Sequence, residues 1–262
     1  MTISRRSFSA GMIASALFGR AHAAEAPPHD MSMTPKEWVG SEQIAMLMYP
    51  GFTALDLVGP QYMFGNLMGA TVHLVAKTRE PVMSDTKLAI APSATLEECP
   101  RDLDILFVPG GSSGTLSAMR DEAIMAFVKD RGKRAKYVTS VCTGSLILGA
   151  AGLLQGYRAT SHWITRDLLP LFGAEAAGGR YVIDRNRITG AGVTAGVDFG
   201  LAIVEQRRGR DYAKAIQLLA EYDPTPPLDA GTPEKAGPET TKLMADMFAG
   251  FRAEVATIAE GR

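Results

Sequence analysis

Short apolar runs alternate along this chain with longer stretches of helical periodicity. Residues 43–49 (QIAMLMY), 71–76, 105–108 and 137–141 are β-rich runs of strand length, each bounded by Gly, Pro or a charged segment. Helical patterns occupy 56–68, 121–133, 143–154, 194–207 and 211–222. Strands alternating with helices require crossover connections, which predicts an α/β fold with a mostly parallel central sheet covered on both faces. No repeat and no break in the pattern separates residues 43 and 222, so a single domain is expected over 42–231. Beyond it, within 232–262, a last amphipathic stretch at 239–259 spaces Leu243, Met247, Phe251 and Val255 by four. That spacing predicts a helix docking one face on the domain or on a partner subunit.

The N-terminal end does not fit this alternation. Residues 1–23 join a basic start, with Arg5 and Arg6 consecutive, to an apolar run from Ala10 to Phe18 and small residues at Ala21 and Ala23. The run falls short of the roughly 20 residues that span a bilayer. The order Ser4-Arg5-Arg6-Ser7-Phe8 resembles the twin-arginine export signal, so a signal peptide cleaved after Ala23 and a periplasmic mature protein are expected. Residues 24–41, rich in Pro, Met and Ser, read as a mobile linker.

Composition narrows the partners. With 27 basic and 28 acidic side chains the net charge is −1, without the basic excess of a nucleic-acid binder. The two cysteines are too few for a disulfide scaffold. Cys99, in the polar turn EECPRD, is expected at the surface; Cys142 ends an apolar run and is the candidate for function. Of four histidines, His22 and His29 fall in the signal and linker, His73 in the second strand and His162 in ATSHWIT. With no HExxH pattern, neither metal catalysis nor a cofactor is expected. A Cys-His-Asp triad would have to use His162, whose place beside Trp163 reads better as structural.

In parallel sheets ligands gather at the carboxyl ends of the strands, so the strand-to-helix turns PGFTALD, PGGSSG and SVCTGS are where chemistry is expected. The third carries Cys142 on a sharp turn before a helix N-terminus, whose free N–H groups and partial charge lower a thiol pKa. A buried small hydrophobe is the alternative there. Gly110 and Gly111 in the second turn suit N–H groups aimed at developing charge, or simply a tight turn. Asp56 in the first turn sits among apolar residues that raise a carboxyl pKa, as a proton donor needs; a helix N-cap is the other reading.

Together PGFTALDLVGP, ILFVPGG, SVCTGSLILGAAGLL, ATSHW, GAGVTAGVDFGL and YDPTPPLDAG resemble the ThiJ/PfpI superfamily and, within it, the isonitrile hydratase branch. The resemblance implies a flavodoxin-like sandwich of the class I glutamine amidotransferase type, a nucleophile-elbow cysteine at Cys142, and a homodimer acting on a small molecule. It places Asp56 where the deglycase-like branch has glutamate. It also places Thr143 where the protease-like branch has histidine, which speaks against peptidase activity. Related transcription regulators append a helix-turn-helix module; this chain ends soon after Ala259, so no DNA binding is expected.

The implied reaction is hydration of an isocyanide to an N-substituted formamide. In it the Cys142 thiolate adds to the terminal carbon and Asp56 delivers a proton. The N–H groups of Gly111 and Thr143, with the Thr143 hydroxyl, stabilise charge. In an alternative order Asp56 activates water while the thiol positions substrate. Asp198 and Asp223 also match the branch; Asp198, inside a helical pattern, is expected to be structural. Two other functions stay open: a periplasmic thiol protein that senses oxidation through Cys142, and a small-molecule binding module without catalysis.

Overall fold

The computed structural model describes residues 34–261, so the expected signal peptide lies outside the described residues. In chain order the strands are β1 Gln43–Leu47, β2 Thr71–Ala76, β3 Val82–Met83, β4 Ala89–Ile90, β5 Ala94–Thr95, β6 Ile105–Val108, β7 Tyr137–Val141, β8 Arg158–Ala159, β9 Glu175–Ala176, β10 Tyr181–Asp184 and β11 Arg187–Gly190. The helices are α1 Ala54–Gly65, α2 Ser112–Arg120, α3 Glu122–Arg134, α4 Gly144–Ala150, α5 Ala195–Arg208, α6 Arg210–Leu219, α7 Pro233–Ala236, α8 Pro238–Met247 and α9 Ala249–Glu260, with a 3-10 helix at Arg166–Phe172.

One seven-stranded sheet, in the order β10-β11-β7-β6-β1-β2-β5, organises the chain. Every neighbouring pair in it is parallel except the β10–β11 hairpin at one edge. β6 and β11 are buried at every position, and β1 and β7 at all but their first. Strands covered on both faces read as continuous apolar runs, which is why the central ones stand out in the sequence. Phe64 of α1, Phe107 of β6 and Phe199 of α5 form an aromatic cluster with ring centroids 5.8–6.2 Å apart, fixing two helices to one sheet face. This is the flavodoxin-like, mostly parallel architecture expected.

Three expectations about elements need correction. The helix expected over 143–154 stops at Ala150, because Gly152 turns the chain at φ +74°. The amphipathic stretch 239–259 is broken at Phe248 into α8 and α9. Val255 is fully buried and Phe251 packs on the core, while Leu243 and Met247 stay exposed, so only the second half of the stripe docks. The end of the expected mobile linker is tied down: Trp38 packs edge-on against Tyr212 at 4.9 Å, and its carbonyl accepts from Arg208 Nε at 3.0 Å.

Candidate functional site

β1, β6 and β7 are adjacent and parallel, so the three turns that follow them meet at one end of the sheet. The sharpest is at Cys142, a non-glycine residue at φ +58°. Left-handed backbone at a side-chain-bearing residue costs about 1–2 kcal/mol and persists where surrounding bonds hold it. Here the Cys142 N–H donates to the carbonyls of Ala191 (2.7 Å) and Gly190 (3.1 Å), and its carbonyl accepts from Ser145 Oγ and Ser161 Oγ, both at 3.1 Å. The elbow also brings α4 against the end of β6: a Cβ on Gly144 would stand 2.2 Å from the Val108 carbonyl oxygen, so only glycine fits.

The glycine loop after β6 faces the elbow, and its N–H groups are already taken. Gly110 N–H donates to Asp56 Oδ2 at 2.9 Å, and Gly111 N–H donates to Thr143 Oγ1 at 3.0 Å. This corrects the expectation that Gly110 and Gly111 offer free donors to a developing anion; they hold the acid and the hydroxyl instead. The approach requires glycine, since a Cβ on Gly110 would lie 2.6 Å from Thr143 N and 2.8 Å from Asp56 Oδ2. Thr143 Oγ1 lies 2.8 Å from Thr115 Oγ1 and 3.2 Å from the Gly111 carbonyl oxygen, to which it can donate. Behind them Tyr49 OH donates to the Pro109 carbonyl at 2.7 Å and lies 3.4 Å from Thr115 Oγ1. Tyr49, Thr115, Ser145 and Ser161 escaped the sequence reading; a Tyr just after a strand and a Ser three residues past the elbow were the signals available.

Asp56 lies in the first turn of α1, whose N-cap is Thr53, so it is not the cap. It is fully buried, and its Oδ1 has no hydrogen-bond partner of good geometry. Burial pushes its carboxyl up to about 7, against the lowering effect of Gly110 N–H and the Cys142 thiol. Cys142, 6% exposed, shifts upward too: burial comes first, then the Asp56 carboxylate, and both outweigh the Thr143 N–H. The expected lowering of the thiol pKa is therefore reversed. α4 spans two turns, so its end charge is small beside the cost of desolvating a thiolate. The result is a buried thiol that keeps its proton at neutral pH, an interacting carboxyl that titrates at about 7, and a clamped hydroxyl, Thr143, beside them.

The other candidates lie apart from this pair. His162 is half-buried, its Nδ1 accepting from Ile164 N–H at 3.3 Å, and burial lowers its pKa. Asp198 accepts from Arg180 Nε (2.7 Å) and Tyr222 OH (2.9 Å), an internal pairing. Asp223 is exposed in the turn after α6. Cys99 is 2% exposed rather than at the surface, and both cysteines are free thiols. It is enclosed because the Arg131 guanidinium gathers its turn, donating to the Pro100 and Cys99 carbonyls at 3.0 Å each.

Comparison with known proteins converges on one family. The pattern of the DJ-1/PfpI family matches residues 42–206. Over 194 residues the chain is 48% identical to the isonitrile hydratase of Pseudomonas putida, covering 74% of this chain and 84% of that one. The crystal structure of a ThiJ/PfpI family protein from Pseudomonas syringae superposes with a TM-score of 0.85 at 55% identity, over 91% of this chain and 98% of that one. The HTH-type transcriptional regulator GbdR of Pseudomonas aeruginosa is 30% identical over 190 residues, 70% of this chain but 51% of that protein.

Proposed function

The chain belongs to the DJ-1/PfpI family, and on that premise we propose that it is a cysteine-dependent hydratase converting an isocyanide, R–N≡C, to the formamide R–NH–CHO. The observation that carries this reading is the buried Cys142–Asp56 pair beside glycine N–H groups already spent on Asp56 and Thr143. Acyl transfer places negative charge on an oxygen and calls for free N–H donors to receive it. An isocyanide instead accepts both nucleophile and proton at one terminal carbon, which calls for a nucleophile and an acid side by side. Similarity to the Pseudomonas putida isonitrile hydratase supports the same reading.

The steps balance with this pair alone. As Cys142 Sγ attacks the terminal carbon, Asp56 takes the thiol proton and delivers it to that same carbon, leaving a thioimidate, R–N=CH–S. Water then adds to the carbon, Asp56 taking one water proton and passing it to the nitrogen, which becomes N–H. Collapse to the formamide expels the thiolate, which takes up the remaining hydroxyl proton and is again a thiol. A carboxyl near pKa 7 suits both directions of transfer. Thr143 N–H stands beside the thiol throughout, opposing its upward shift. From the Ser4–Phe8 pattern we further propose that the reaction takes place in the periplasm.

The test is formamide production from cyclohexyl isocyanide by the purified protein and by Cys142→Ala. Product from the native protein, lost at least a thousandfold in Cys142→Ala, is expected. Undiminished turnover by Cys142→Ala overturns cysteine dependence. No product from folded protein with a free Cys142 thiol overturns the hydratase reading.

A further inference from the structure

Behind the elbow lies a cavity of about 530 Å³, lined by His162, Trp163, Arg166, Arg180, Ala191 and Thr194 among others. Its size is that of a small-molecule site. It adjoins the nucleophile through the backbone: Ala191, in its wall, accepts the Cys142 N–H at 2.7 Å, and Ser161, also in its wall, donates to the Cys142 carbonyl at 3.1 Å.

The charges of this cavity are unevenly paired. Arg180 is committed to Asp198. Asp167, the carboxylate next to Arg166 in the chain, is bound through both oxygens by Arg252 at 2.7 Å each. Glu234, also in the cavity wall, is exposed and makes no contact ion pair with Arg166 within 4.0 Å, although the Arg166 charge helps hold its carboxyl low. The half-buried Arg166 guanidinium is thus left with no direct hydrogen bond or contact ion pair among the described residues, its charge felt by Glu234 and Asp167 only at a distance. A partly buried guanidinium whose N–H groups meet no acceptor directly favours an anion, and its planar fork matches a carboxylate. A second donor stands in the same wall. Because His162 Nδ1 accepts from Ile164 N–H, the neutral ring carries its proton on Nε2, which has no acceptor among the described residues. Trp163 supplies an apolar surface beside these two polar groups.

We propose that this cavity is a carboxylate subsite, in which Arg166 and the His162 Nε2–H hold the acid end of a small molecule whose other end meets Cys142. That the other end is an isocyano group rests on the hydratase reading; the carboxylate subsite does not. The substrate class is then a carboxylate-bearing isocyanide, and its product an N-formyl amino acid.

Two measurements test this separately. In the first, calorimetric binding of N-formylglycine is compared with that of its neutral amide, N-formylglycinamide, on the native protein and on Arg166→Gln and Arg166→Lys. The acid is expected to bind at least tenfold more tightly than the amide. That preference should fall to within about twofold in Arg166→Gln and return in part in Arg166→Lys, with all three proteins melting cooperatively. Equal affinity for acid and amide, or a preference untouched by Arg166→Gln, overturns the subsite. In the second, kcat/KM is compared for isocyanoacetate and its methyl ester. A preference for the acid that collapses in Arg166→Gln supports both readings. Turnover of isocyanides without an acid preference leaves the hydratase standing and sinks the subsite. Arg166-dependent binding of N-formylglycine with no turnover of any isocyanide does the reverse.

Discussion

Asp56 and Cys142 each lose by ionising in place, and the proposed chemistry turns on that shared penalty. Burial lifts both groups; the Asp56 carboxylate raises the thiol further, while the thiol's hydrogen bond pulls the Asp56 carboxyl partly back down. The reactive form holds one proton on the pair, so kcat/KM for an isocyanide is expected to rise with pH through about 7 and then level off. A pH–rate profile checks this. Asp56→Asn should remove that limb and cut the rate by about 10²–10⁴. The same shift bears on stability. A carboxyl raised from 3.8 to about 7 on folding favours the folded state fully below pH 3.8 and loses that advantage as pH rises through 7. Asp56→Asn should therefore melt near the native protein at pH 4–5 and above it at pH 8, by a few kcal/mol (~1.4 kcal/mol per pKa unit). Equal melting at pH 8 would show that Asp56 ionises freely.

At the scale of elements, the turns after β1, β6 and β7 are held together by close backbone approach more than by side-chain packing. Gly144→Ala puts a methyl against the Val108 carbonyl and should cost about 3 kcal/mol. In a domain of this size that is a fall in Tm of roughly 6–12 °C, measured by calorimetry. The three turns that meet at this end of the sheet were legible in the sequence, because buried parallel strands are continuous apolar runs and Cys142 stands at the end of one. The sequence did not show that the Gly110 and Gly111 N–H groups are consumed, since their partners, Asp56 and Thr143, are 54 and 32 residues away in the chain. Nor did it show the β10–β11 hairpin, where Arg185 at φ +54° makes a tight turn without the Asn-Gly or Asp-Gly pair that usually marks one. Cys99 misled for a related reason: its neighbours are polar, but Arg131 binds the carbonyls of its turn and closes it in.

Across the domain, the site end of the sheet is balanced by a clamp at the opposite end. Glu42, just before β1, is bound by Arg208 and Arg207 from the end of α5, and the Glu42 and Arg208 side chains are each 4% exposed. Arg208 also donates to the Trp38 carbonyl, so one ion pair joins the start of the domain to a long helix. The Arg208 hydrogen bonds hold the Glu42 carboxyl down at about 2. A depressed carboxyl contributes stability above pH 4.5 that drains away as pH falls toward 2. Glu42→Gln strands a buried guanidinium and should cost about 3–5 kcal/mol at neutral pH. It should also flatten the acid limb of Tm against pH, without altering which pH activates catalysis.

The most direct test of the whole account is intact-protein mass spectrometry of samples quenched during turnover of cyclohexyl isocyanide, with the adduct mapped by peptide. The account predicts a mass gain of one whole isocyanide, with nothing lost, on the peptide carrying Cys142, appearing with formamide and absent from Cys142→Ala. Formamide released at the native rate by Cys142→Ala, or an adduct mapped to Cys99 alone, would contradict it.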